Sequence, residues 1–211
     1  MHNIVRLDKI IKTKHSDLHV EPHIIRISGG FNHEMTEDFQ ETFEKAVNRN
    51  KSVIPIFIDS YGGDVYSLMQ LISTIKASPL PIATICSGKA MSCGAMLFMF
   101  GTEGLRFMSE EATIMIHDVS SFTFGKVEEI KADVKEADRL NNLIFKMAAK
   151  HISKTENFFL DMIDKKKHAD IYLTAKECKK LNICNHIGVP HMLTEVKVKQ
   201  SLVLNNQKIE I

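Results

Sequence analysis

Residues 81–100 constrain the fold more than any other stretch: a short apolar run, nine small-rich residues, then a second apolar run. The first run opens on Pro81 and holds Ile82, Thr84 and Ile85, the composition of a buried strand. In residues 87–95, six of the nine are Gly, Ala or Ser. Residues 95–100 stay apolar up to Gly101, enough to open a buried helix. A strand that turns sharply into a helix sets a side chain beside N–H groups that have no intrahelical partner. Ser92 stands at that turn. On these residues alone two readings stand, small residues for close packing or a serine presented as a nucleophile.

The preceding segment repeats the pattern. Residues 53–58 read as a strand, with Pro55 an objection to a fully central place in a sheet. A tight loop is expected over residues 59–64, containing Gly62 and Gly63. Val65, Leu68, Met69, Ile72 and Ile75 then recur at helical spacing up to the Pro79 and Pro81 break. Earlier still, residues 23–28 form a strand closed by Gly29 and Gly30, and Met35, Phe39, Phe43 and Val47 mark a helix with Glu37 and Asp38 near its positive end. Successive β-α units predict an α/β fold with a parallel sheet, and such sheets gather functional groups at the carboxyl ends of their strands. Gly62, Gly63 and Ser92 fall there. Residues 106–108 and 112–116 are two more short strands, the second followed by His117.

From Gly125 to about Ile163 runs the longest helical pattern, too long for a domain of this size to cover. It is expected to project and to pack on another copy of the protein. Its alternative is two surface helices separated near residues 151–155. Residues 170–173 are a brief extended piece, and Thr174 and Glu177 have capping-box spacing. Residues 1–22 read as an N-terminal arm and residues 191–211 as a terminal strand or hairpin.

With 211 residues, 44% of them hydrophobic, the chain can bury a good-sized single core, residues 23–190. A net charge of +1 gives no reason to expect nucleic acid or a membrane surface as partner. Cys86, Cys93, Cys178 and Cys184 contain no C-x-x-C pair, so neither zinc nor a disulfide framework is expected, and a reducing cytoplasm fits. No stretch has the pattern of a signal peptide or the length of a membrane span.

Acyl transfer at neutral pH needs a nucleophile, a base, a group that orients the base and donors for the oxyanion. Ser92, His117 and a carboxylate beyond the long helix are candidates, although ten histidines and many acids make each weak by itself. Their order is informative. Asp59-Ser60-Tyr61-Gly62-Gly63 resembles the N-S-P-G-G loop of ClpP, the proteolytic subunit of the Clp protease. Residues 86–95 resemble its C-x-G-x-A-A-S-M-G-A nucleophile segment, Met115-Ile116-His117 its M-I-H, and residues 170–177 the D-x-F-L/M-S/T-A-x-E run. The resemblance spans about residues 22–190.

It implies the ClpP/crotonase-like fold of repeated β-β-α and β-α units, with the long helix as the handle between rings. It also implies a serine endopeptidase: Ser92 as nucleophile, His117 as general base, Asp170 as the orienting carboxylate, and the Gly63 and Cys93 amides as oxyanion hole. Neither metal nor cofactor is implied. Asp161 and Asp164 are alternatives to Asp170 if the local register slips. The implied partners are copies of the chain in a heptameric ring, commonly stacked as a tetradecamer, an AAA+ unfoldase of the ClpX or ClpA type, and unfolded protein substrates.

Three departures stand out. Tyr61 replaces the loop proline, Asp118-Val119 replaces Gln-Pro after the histidine, and Ala169 replaces an arginine used in ring pairing. They suggest a divergent or phage-encoded branch. Competing readings are a ring subunit with a dead site, a crotonase-type acyl-CoA enzyme and a capsid-maturation protease.

Overall fold

The structure, a computed structural model, describes residues 24–48, 52–120 and 123–192, with the backbone of 202–204 and 207–209. Residues 23–190 form one compact unit. The expected N-terminal arm lies outside the described residues. In the second unit, β8 (Leu202–Leu204) and β9 (Gln207–Ile209) pair antiparallel, the hairpin expected near the end of the chain.

The main unit is a mixed α/β fold built on parallel strands. β1 (Ile25–Phe31), β2 (Ile54–Gly63) and β3 (Ile82–Met91) lie side by side in chain order. They are joined by α1 (His33–Val47) and α2 (Val65–Lys76). Both helices begin where a polar side chain takes up a free amide: Asn32 Oδ1 accepts from Met35 N–H at 2.8 Å, and Asp64 Oδ2 from Ser67 N–H at 2.6 Å. Their apolar stripes face the sheet. Leu68, Leu71 and Ile72 are buried against Ile25, Ile27, Ile56 and Ile58, each worth about 1.5–3 kcal/mol in transfer free energy.

Pro55 sits inside β2 despite the objection to it. Ile54 donates to Pro81 on the β3 side, so position 55 faces β1, and pairing with β1 starts only at Ile56. The missing N–H therefore costs no ladder bond.

Two strands run on beyond their expected ends, the first of them through the expected loop. β2 runs on through Gly63, with Gly30 and Phe31 opposite Gly62 and Gly63, and β3 runs on to Met91. The strand β3 then changes partners. Thr84, Ile85 and Cys86 pair with β4 (Arg106–Met108), whereas Lys89, Ala90 and Met91 pair with β5 (Thr113–Ile116). β5 pairs antiparallel with β6 (Ile171–Thr174), and β4 carries the short β7 (His186–Ile187). After β3 the fully buried α3 (Cys93–Met99) packs on β2 and β3.

The long helical pattern divides into α4 (Val127–His151) and α5 (Phe158–Lys165), so the continuous helix over about 125–163 is corrected to its two-helix alternative. Ile152 caps α4, and Ser153 takes a left-handed φ of +59°, which turns the chain back and packs Phe159 against Phe145. No residue of α4 before Leu140 is buried, whereas Ile144, Phe145, Ala148 and Ala149 enter the core. The capping box at Thr174 opens α6 (Ala175–Lys180) as expected.

Arg106, fully buried, ties β4 to the chain beyond α6. Its Nε donates to Ile183 O at 3.0 Å, Nη1 to Gly101 O at 3.2 Å, and Nη2 to Asn182 O at 3.0 Å and to the Glu103 carboxylate at 2.8 Å. Removing it strands the Ile183 and Asn182 carbonyls, while Gly101 O keeps its contact with His151 Nε2 at 3.1 Å. Arg106→Ala is expected to destabilise the protein by about 3 kcal/mol or more, read as a lowered urea midpoint; an unchanged midpoint would contradict this account of the buried guanidinium.

Candidate active site

Three strand ends converge on Ser92. Its backbone has φ +53° and ψ −121°, a region that side chains with a Cβ rarely adopt and that costs about 1–3 kcal/mol. Two contacts impose it: Ser92 N–H donates to Met115 O on β5 at 2.9 Å, and Ser92 O accepts the first helical bond from Met96 N–H at 3.1 Å. The turn from β3 to α3 is therefore a single residue. The N–H groups of Cys93, Gly94 and Ala95 precede that first helical bond and have no intrahelical acceptor.

The end of β2 passes directly beneath. Gly62 has φ +102°, and a Cβ there would lie 2.6 Å from Ser92 Cβ. Gly63 has φ +148°, and a Cβ there would meet the Phe31 backbone at 2.5 Å. Ser60 supports Gly62: its hydroxyl donates to Gly29 O and accepts from Gly62 N–H at 3.0 Å. The glycine pair is thus required by close approach of three backbones.

Gly63, Ser92, Cys93 and His117 border one cavity of about 50 Å³. Its remaining wall is largely apolar, from Leu68, Met96, Ile144 and Phe145, with Asn141 and Ser120 as polar members. Of the residues singled out in the sequence, these four are brought together. Asp170 is not among the lining residues. It is exposed and stands one position before β6, whose first residue Ile171 pairs with Ile116. In an antiparallel ladder the count runs in opposite directions, so the next positions are His117 and Asp170. No hydrogen bond joins Ser92, His117 and Asp170 to one another among the described residues. Asp161 and Asp164 are on α5 and do not line the cavity; Asp164 Oδ1 lies 3.6 Å from His168 Nε2.

Two nucleophile types are adjacent, and their environments separate them. Burial pushes the Cys93 thiol up to about 11, even though its Sγ donates to Gly63 O at 3.2 Å. At neutral pH this thiol is protonated, which makes it a poor nucleophile. Asn141 was not visible as a site residue in the sequence. Its Oδ1 accepts from Val119 N–H at 3.0 Å, which fixes the segment just beyond His117 against α4.

The Gly62 contact yields a stability test with an internal control. Gly62→Ala is expected to cost about 1–3 kcal/mol through left-handed strain and the clash with Ser92. Gly88→Ala, where a Cβ meets only Asp59 Oδ1 at 3.5 Å, is expected to leave the thermal midpoint nearly unchanged. Equal midpoints for the two variants would refute the close-approach argument.

Residues 11–191 match the family model described as Clp protease, a span that takes in every element from β1 to β7 and all four residues around the cavity. With that match over most of its length, on a ClpP-like α/β fold, the chain belongs to the Clp protease family and is by class a peptidase.

Proposed function

We propose that the protein is a serine endopeptidase acting through Ser92, His117 and Asp170. The observation that carries this reading is the left-handed Ser92 at the start of α3, sharing a cavity with His117 and with the Gly63 and Cys93 backbones. Ser92 Oγ attacks the peptide carbonyl carbon while His117 takes its proton. The negative charge that builds on the carbonyl oxygen is met by the Gly63 and Cys93 N–H groups and by the positive end of α3. His117 then returns the proton to the leaving amine, the C–N bond breaks, and an acyl-enzyme ester remains. Water activated by the same imidazole releases the second product.

Asp170 is assigned as the orienting carboxylate because the β5–β6 register, continued one position past its last pair, would set it opposite His117. Catalytic hydrogen bonds in unliganded sites are often long and tighten when substrate arrives. The apolar wall of Leu68, Met96, Ile144 and Phe145 suits an apolar side chain of the substrate next to the scissile bond.

A ring assembly follows from the same reading. The outer half of α4 exposes Val127 and Val134 at 66% and 59%, apolar side chains placed to meet another copy. We assign it the role of handle in a heptameric ring, two rings forming a tetradecamer fed with unfolded chains by an AAA+ unfoldase. The four buried free thiols, Cys86, Cys93, Cys178 and Cys184, suit a reducing cytoplasm.

Ser92→Ala is expected to lower peptidase kcat by about 10⁴-fold or more while the assembly, followed by sedimentation, is unchanged. A fluorophosphonate probe should label the native protein and not this variant. Undiminished activity in Ser92→Ala, or absence of labelling in the native protein, would refute the assignment.

A further inference from the structure

The ladder between β5 and β6 stops at Ile116 and Ile171, one position short of His117 and Asp170. Backbone pairing alone therefore does not hold the two together. Beyond that point the strands are joined by side chains. Asp118, the residue after His117, accepts from Asn141 Nδ2 through Oδ1 at 2.8 Å, and its Oδ2 lies 2.7 Å from His168 Nδ1. His168 is two residues before Asp170. Asn141 in turn holds Val119 and lines the cavity beside Ser92 and His117.

Resting on the triad reading above, we propose that His168 is a positioning residue. With Asp118 and Asn141 it forms a clamp that carries the strand pairing past its last backbone bond and keeps Asp170 beside His117. The local backbone supports such a role. Lys167 and His168 both take left-handed φ values, +53° and +60°, so the turn from α5 into β6 is a specific and unfavourable shape for side-chain-bearing residues. His168 N–H donates to Ile163 O at 3.1 Å, which roots the turn on α5, and the Asp118 contact closes its other side.

The charged groups facing the imidazole are Asp118, from the segment after β5, and Asp164, from α5. The hydrogen bond to Asp118 is the main cause that holds the His168 pKa above its ordinary value, with the charges of Asp118 and Asp164 adding to it and desolvation opposing. The sign follows. With the folded pKa raised, the ion-paired clamp is complete below the ordinary imidazole pKa and weakens as pH rises through the raised one.

The test is a double-mutant cycle on the assembled protein, with a short fluorogenic peptide as substrate. His168→Ala is expected to lower kcat about tenfold with KM within about twofold, and to remove the alkaline fall in the pH profile of kcat. In an Asp170→Asn background the same substitution is expected to change kcat little, because His168 acts through Asp170. An unchanged kcat, or an equal loss in both backgrounds, would overturn the clamp. Should His168→Ala fail to assemble, the cycle is read by the same criteria with Asp118→Ala. Ser92→Ala measured alongside keeps the two readings apart: an active Ser92→Ala refutes the triad itself, whereas a dead Ser92→Ala beside an unaffected His168→Ala refutes only the clamp.

Discussion

Everything at this site hangs on one strand that has two neighbours on the same edge. β3 gives its first half to β4 and its second half to β5. Where the second pairing ends, the Ser92 amide is still tied to Met115, so the chain can enter α3 only by taking an unfavourable backbone angle. The strain is local, and its compensation is spread over the buried helix behind it, every residue of which from Cys93 to Met99 is in the core. A turn built this way is rigid, because Ser92 cannot relax without unpairing β5 or withdrawing α3.

Much of this was legible in the chain, and the failures share one cause. The β-α order, the helix faces, the capping box at Thr174 and the place of Ser92 at a strand-to-helix turn follow from local periodicity and from small residues. The lengths of β2 and β3 do not. Residues 59–63 and 87–91 have the composition of loops, and only pairing partners 24 to 32 residues away hold them extended. The break after α4 was equally faint, since residues 151–156 contain neither Gly nor Pro, and a left-handed Ser153 does the turning. Of the site, the residues with motif spacing stood out. Asn141 did not, because a polar residue on a charged helix has no signature until Val119 is seen against it.

The close approach of Gly62 and Gly63 to Ser92 and Phe31 also explains how Tyr61 is tolerated where the resembling loop has proline. Alternation along β2 buries Ser60 and Gly62 and turns Asp59 and Tyr61 outward, so position 61 faces away from Ser92. There its ring lies under Lys89, whose ammonium is 4.5 Å from the ring centroid and bonded to Asp59 at 2.8 Å. The rigidity a proline ring would bring is replaced by a cross-strand contact between two neighbouring strands.

α4 has a mechanical consequence. A helix of 25 residues is about 37 Å long, and its two ends live in different surroundings. The end from Val127 to Arg139 buries no residue and is tied to the domain through Glu136, which accepts from the Tyr66 hydroxyl at 2.8 Å; the other end is wedged into the core, and Asn141, Ile144 and Phe145 there are also walls of the cavity beside Ser92. The rod is thus a lever arm. A small tilt of its exposed end reaches the cavity as a shift of those three side chains, so the cavity wall and the exposed face of the helix cannot be set independently.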